Sequence, residues 1–162
     1  MKKLMPIVII AVMFHLYVPS SAFGTYDAKN LKGIKSLFVL IENLPSEAAK
    51  FRLSKEKLQA DVELKLRLVG IYDKSSRDFI YVTVNLLETV GGFASSVSVY
   101  IEQFVTLEVS GEDTSVKIWS LSNLLVGPKE GAESFIRQYV KDSVDIFLND
   151  YLKANPKNIP LN

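Results

Sequence analysis

The sequence predicts an α+β fold: a single four-stranded, mostly antiparallel sheet with two helices packed on one face, in the order β-α-β-β-β-α. Four segments alternate apolar and polar residues with the period of two that is typical of strands. Two further segments repeat apolar residues at helical spacing. Placing both helices on one side of one sheet is the simplest way to bury these apolar faces. The alternative arrangement has one helix on each side of the sheet.

Glycine-containing turns separate the predicted strands. The first strand covers residues 37–41. Gly91-Gly92 marks the turn between the second and third strands, Gly111-Glu112-Asp113 marks the turn to the fourth, and Gly127-Pro128 ends the sheet. The fourth strand lies around residues 116–121. The core-facing positions of the second and third strands are Ile80, Val82, Val84, Leu86, Val97, Val99, Ile101, Val105, Leu107 and Val109.

The two helices carry recognisable start and stop signals. Ser54 is suited to cap the amino terminus of the first helix, and Gly70 is suited to close it. The second helix runs from about residue 131 to 153 and stops at Asn155-Pro156. The apolar faces of the two helices comprise Leu58, Val62, Leu66 and Val69, then Ile136, Val140, Val144, Phe147 and Tyr151.

The amino terminus has the three parts of a secretory signal peptide. Lys2 and Lys3 supply positive charge, residues 4–18 are apolar, and residues 20–22 are small, which predicts cleavage near Ala22. The apolar stretch is shorter than the roughly 20 residues that a spanning helix needs. We therefore expect a periplasmic or secreted protein with no stable membrane anchor. Its predicted parts are a signal peptide (1–22), an irregular lead-in (23–35), one α+β domain (36–154) and a flexible tail (155–162).

Composition argues against several classes of function. The chain has no cysteine, and its one histidine, His15, lies in the predicted leader. The exported protein would therefore have neither thiol nor imidazole, so we expect no catalytic residue, metal or cofactor, and a non-enzymatic role. The formal charge of the whole chain is only +1, and loss of the leader makes it slightly negative. A near-neutral chain gives no electrostatic reason to expect nucleic acid as a partner.

One sheet face is unusually rich in aromatic residues. The strand positions opposite the predicted core carry Phe38, Leu40, Phe79, Tyr81, Tyr100, Phe104, Trp119 and Leu121. If both helices cover the other face, these side chains form an exposed surface of the kind that marks an interface. We predict that Tyr81, Tyr100, Phe104 and Trp119 bind a partner, either an envelope protein or a second copy. Alternatively, another segment covers this face and makes it ordinary core.

Two other functions stay open at the level of sequence. A carboxylate-dependent hydrolase would use Glu42, Glu88 or Glu102, provided that neighbouring strands bring them together. A carrier would hold a small apolar ligand between the helices and the sheet.

Three segments of the chain resemble known proteins. Residues 53–71, 81–85 and 140–145 read LSKEKLQADVELKLRLVGI, YVTVN and VKDSVD. They resemble a group of small secreted bacterial proteins of unknown function, a resemblance that implies export but no site residue. The order of elements is also similar to that of the lipopolysaccharide-assembly lipoprotein LptE and of the amino-terminal domain of the periplasmic protein TolB. Likeness of topology says little about function, and the chain lacks the lipid-bearing cysteine of lipoproteins.

Overall fold

The structure is a computed structural model that describes residues 28–156. Four strands and two α-helices form it, together with two short 3-10 helices. In chain order the elements are a first 3-10 helix (Ala28–Leu31), β1 (Phe38–Ile41), a second 3-10 helix (Ser46–Phe51), α1 (Lys55–Val69), β2 (Phe79–Thr89), β3 (Gly92–Thr106), β4 (Asp113–Pro128) and α2 (Ala132–Ala154).

The four strands form one mixed sheet in the order β1-β2-β3-β4. β1 pairs in parallel with β2, whereas β2, β3 and β4 form an antiparallel meander. The apolar faces of both helices and one face of every strand belong to a single core cluster. The predicted α+β class, the order of elements and the placement of both helices on one face are therefore confirmed.

α1 begins and ends where the sequence indicates. The Ser54 hydroxyl accepts a hydrogen bond from the backbone N–H of Lys57 at 3.4 Å, as a capping residue does. Gly70 closes the helix in the left-handed conformation, with φ of 77°. Arg137 of α2 joins the two helices because its guanidinium contacts both carboxylate oxygens of Asp61, at 2.7 and 3.0 Å.

The β2–β3 hairpin and the end of β4 approach one another closely at two glycines. Thr89 pairs with Gly92 across the turn, and Gly91 takes a φ of 81°. Gly92 pairs with Pro128 of β4, and a Cβ atom at position 92 would lie only 2.2 Å from the carbonyl oxygen of the neighbouring Gly127. The Gly91-Gly92 pair thus serves both the turn and a close backbone contact.

Trp119 and Leu121 lie in the core, so their predicted placement on the opposite sheet face was wrong. The cause is a β-bulge at Ile101/Glu102: Trp119 pairs with Ile101 but Lys117 pairs with Glu102, which leaves Ile118 as an extra residue. The extra residue reverses the alternation beyond it. Trp119 is consequently 1% exposed, and its ring meets that of Phe147 edge-on at 5.5 Å.

The third strand is shorter than predicted. β3 ends at Thr106, and Leu107 and Val109 lie in the following turn, where both are exposed. The turn is held by a bond from the Leu107 N–H to the Glu112 carbonyl at 2.9 Å. The fourth strand is longer than predicted, and it ends at Pro128 as expected.

The two ends of the described chain are fastened together. Part of the expected irregular lead-in forms the first 3-10 helix, and Leu31 and Ile34 are buried. Asn155 accepts a hydrogen bond from the Gly33 N–H and donates one to the Leu31 carbonyl, both at 2.9 Å. The Tyr151 hydroxyl adds a bond to the Ile34 carbonyl at 3.1 Å.

The predicted signal peptide and its cleavage site lie outside the described residues, as do residues 157–162, so export stays a prediction. None of the helices within residues 28–156 is long and apolar enough to span a bilayer.

Candidate partner-binding surface

The sheet face opposite the helices, here called the outer face, carries a continuous aromatic cluster. Its members lie on β1, β2 and β3: Phe38, Phe79, Tyr81, Tyr100 and Phe104. The ring centroid of Phe79 lies 5.7 Å from Phe38, 6.1 Å from Tyr81 and 6.3 Å from Phe104. These separations are typical of favourable aromatic pairs. Three neighbouring strands thus bring together rings that lie far apart in sequence.

Tyr81 and Tyr100 form the centre of the cluster. They are direct cross-strand partners, and their rings stack at 5.0 Å between centroids with an interplanar angle of 22°. The ammonium of Lys117, on β4, lies 3.8 Å from the centroid of the Tyr100 ring. Since β2 and β4 flank β3 on opposite sides, Tyr100 is held between Tyr81 and Lys117. The Tyr100 ring is therefore covered by neighbouring side chains and is not an open ring face.

Phe104 lies at the end of the cluster and is 40% exposed. The Arg77 guanidinium is placed over its ring, 4.9 Å from the centroid, and also pairs with Asp113 at 2.9 Å. The backbone N–H of Phe104 donates to the Asp78 carboxylate at 3.0 Å. These contacts fix the position of Phe104 although it lies near the end of its strand.

The two tyrosine hydroxyls stay protonated at physiological pH. Burial, then the neighbouring Tyr81 and the charges of Glu102 and Glu42, raise the pKa of Tyr100 to about 12. Burial and the same two carboxylates raise the pKa of Tyr81. Both hydroxyls are therefore neutral groups that can donate and accept hydrogen bonds at the surface.

The three candidate carboxylates do not converge. Glu102 pairs with Phe79 at one end of β2, whereas Glu88 lies at the other end, nine residues or roughly 30 Å away. Glu42 follows β1 and donates its N–H to Val82, so it lies between these two along the sheet. Within residues 28–156, no group of three His, Cys, Asp or Glu side chains is placed to hold a metal ion. The hydrolase and carrier alternatives stay predictions.

Glu88 forms ion pairs with two lysine side chains. It accepts bonds from Lys129 at 2.7 Å and from Lys50 at 2.9 Å. These lysines hold the pKa of Glu88 well below its usual range, at about 2. The same lysines border a surface cleft of about 470 Å³ at the start of α2. The bridge ties the second 3-10 helix to the β4–α2 connection.

Three of the four predicted partner-binding residues lie in the aromatic cluster, namely Tyr81, Tyr100 and Phe104. The fourth, Trp119, lies on the other side of the sheet. Alternation correctly predicts that Phe38 and Phe79 lie on this face, although they are not among the four predicted partner-binding residues. Lys117 and Arg77 were missed, because only the strand register shows which charged side chains lie over which rings.

Comparison with known proteins finds likeness in backbone only. A variant of PelC from Paraburkholderia phytofirmans, solved as a dodecamer, is 14% identical with a TM-score of 0.48, over 81% of this chain and 97% of that one. A second PelC dodecamer from the same organism is 11% identical with a TM-score of 0.47, over 81% and 96%. A minor lipoprotein from Acinetobacter baumannii is 13% identical with a TM-score of 0.35, over 80% and 96%.

Neither a scan of protein families nor a search of curated protein sequences finds a match. Similarity at this level describes the course of the backbone and says nothing of shared function. The resemblance to small secreted proteins, and in element order to LptE and TolB, stays a prediction.

Proposed function

We propose that this chain is an exported, non-enzymatic domain that binds a protein partner through the aromatic cluster of its outer face. The observation that carries the proposal is the unbroken series of ring contacts on the side of the sheet that bears neither helix. Large apolar groups gathered at one surface are typical of interfaces. Tyrosine is also among the residues that contribute most to binding energy at such sites.

The geometry favours protein over sugar or nucleic acid as the bound molecule. Single-stranded nucleic acid stacks its bases on aromatic faces that are open to solvent, and a flat sugar ring would need a similar platform. Here Tyr81 and Lys117 cover Tyr100, and Arg77 lies over Phe104. These two rings are therefore not open stacking platforms, and the two tyrosine hydroxyls beside them are neutral. Such groups suit the mixed apolar and hydrogen-bonding surface of a protein.

Charged groups surround the cluster as a rim does at an interface. The negative charges of Glu42 and Glu102 help to raise the pKa of Tyr100. The cationic side chains of Arg77 and Lys117 lie over aromatic rings. A partner of matching chemistry has an apolar centre with charges of both signs around it. Because the rim carries both signs, binding should depend only moderately on salt.

Site-specific photo-crosslinking in the native host tests this proposal. A photoreactive phenylalanine analogue replaces Phe104 in one strain and Leu68, a 72% exposed residue on α1, in a control strain. We expect a discrete crosslinked protein from position 104 and none from position 68. The same crosslink should disappear when Tyr81→Ser and Tyr100→Ser are added and circular dichroism shows that the domain is still folded. Equal crosslinking from both positions, or a crosslink unchanged by the two serines, would refute the proposal.

A further inference from the structure

β4 is the long edge strand of the sheet, and no other strand among residues 28–156 pairs with its outer side. β3 pairs with one side along the whole strand. On the other side, the first 3-10 helix contacts β4, and the Ile118 carbonyl accepts a bond from the Asn30 side chain at 3.5 Å. Residues 120–128 continue beyond this contact. The backbone groups of this stretch suffice for another strand to pair with it, although Pro128 at its end has no N–H to donate.

The orientation of this edge can be established from one hydrogen bond. The N–H of Leu124 donates to the side chain of the preceding residue, Asn123, at 2.9 Å, and so does not take part in the ladder with β3. In an antiparallel pair, alternate residues direct their backbone groups to the same side. Ser122 and Val126 therefore also direct their N–H and carbonyl groups outwards. The Asn123 side chain thus occupies the middle of this row.

The usual protection against pairing is confined to the ends of this edge, with Lys117 and the bulge at Ile118 at one end and Pro128 at the other. Natural edge strands carry charged side chains, above all lysine, or a central proline. Residues 118–127 contain neither. Leu124 is 63% exposed on the outer face, and Val126 beside it is similarly exposed. An uncharged, apolar edge of this kind favours strand addition.

We infer that β4 pairs antiparallel with β4 of a second copy, about a two-fold axis at Leu124. Leu124 is the midpoint of the stretch 120–128, so the register leaves the contact at Ile118 intact. Ser122 then lies opposite Val126 of the other copy, and each Leu124 N–H exchanges its bond to Asn123 for one across the axis. A second copy suits this edge because an uncharged strand meets itself with no like charges opposed.

The pairing would produce one sheet of eight strands. An axis perpendicular to the sheet places all four α-helices on one side and both aromatic clusters on the other. From the strand spacing and the register, the two Tyr100 residues would lie about 30 Å apart. The dimer would therefore display two copies of the aromatic cluster on one continuous surface. This inference goes beyond the proposed function and rests on different residues.

Matched substitutions on one sheet face test the pairing. Leu124 and Leu87 are 63% and 64% exposed on the outer face, but Leu87 lies on β2, two strands away from β4. Sedimentation equilibrium of the protein expressed from the full chain should give a dimer for the wild type. We expect Leu124→Lys to give a monomer and Leu87→Lys to remain a dimer. A monomeric wild type would overturn the proposal, whether the edge binds another protein or another segment of this chain.

Crosslinking tests the position of the axis, and the chain suits it because it contains no cysteine. In the dimer, the Cα atoms of the two residues 124 lie about 5.5 Å apart, whereas the two residues 87 lie roughly 27 Å apart. A short bis-maleimide should therefore join Leu124→Cys to itself and leave Leu87→Cys unlinked. Equal crosslinking of the two variants, or none at position 124 in a dimeric sample, would refute the pairing.

Discussion

Trp119→Ala should be among the most damaging single substitutions in this domain. The indole is 1% exposed and packs edge-on against Phe147 at 5.5 Å. Truncating a buried tryptophan to alanine costs about 3–5 kcal/mol, from lost burial and the cavity that remains. The indole N–H bond to Asp150 is long, at 3.4 Å, and adds little. For a domain of this size, such a loss lowers the melting temperature by roughly 10–20 °C.

Tyr100→Ala is the matched control on the outer face. It removes the stack with Tyr81 and the contact with Lys117, which together contribute about 1–2 kcal/mol. Urea unfolding followed by far-ultraviolet circular dichroism measures both variants against the wild type. Because Trp119 is the only tryptophan, its fluorescence gives a second readout, and acrylamide should quench it poorly in the folded protein. A loss no larger than that of Tyr100→Ala, or ready quenching, would refute the core placement.

Three further predictions concern other contacts. A double-mutant cycle of Arg137→Ala and Asp61→Ala in urea should give a coupling free energy of about 1 kcal/mol, because the contact is two-pronged and partly buried; additive losses would contradict this. Glu88→Gln should lower the melting temperature above pH 4.5, and the difference should shrink towards pH 2, because the folded state depresses this pKa. A difference that is constant with pH would count against the lysine bridge. Gly92→Ala should cost about 2–3 kcal/mol in calorimetry because its Cβ would strike the Gly127 carbonyl; an unchanged melting temperature would show that the strands can separate there.

Much of the fold could be predicted because most elements have one solvent-exposed face and one buried face. On β2, Ile80 to Leu86 alternate strictly, since one parity enters the core and the other faces outwards. α1 was equally clear, because Ser54 and Gly70 mark its ends and a regular apolar stripe lies between them.

The buried face of β4 was predicted wrongly because the alternation of its apolar residues shifts by one residue partway along the strand. Val116 pairs with Gln103 on the core side, whereas Trp119 and Leu121 take over that side after the extra residue Ile118. A sequence with apolar residues in both phases indicates either a doubly buried strand or a bulge, and alternation alone cannot separate the two. The change of phase between Val116 and Trp119 was the available signal.

The candidate site could be predicted only in part, for a different reason. Alternation assigns Tyr81 and Tyr100 to a face, but it does not say that they stack. The cross-strand register decides that, and it also places Lys117 and Arg77 over their rings. Register depends on turn geometry and on the bulge, which are properties of the assembled sheet.

The clasp that Asn155 forms with Leu31 and Gly33 has a practical consequence for engineering. It brings the two ends of the stretch 28–156 side by side, next to the carboxyl end of α2. A short peptide linking residue 156 to residue 28, with new termini opened in the exposed 107–112 turn, should give a circular permutant that refolds. In a protein trimmed to residues 28–156, an affinity handle at either end would leave from the same part of the surface.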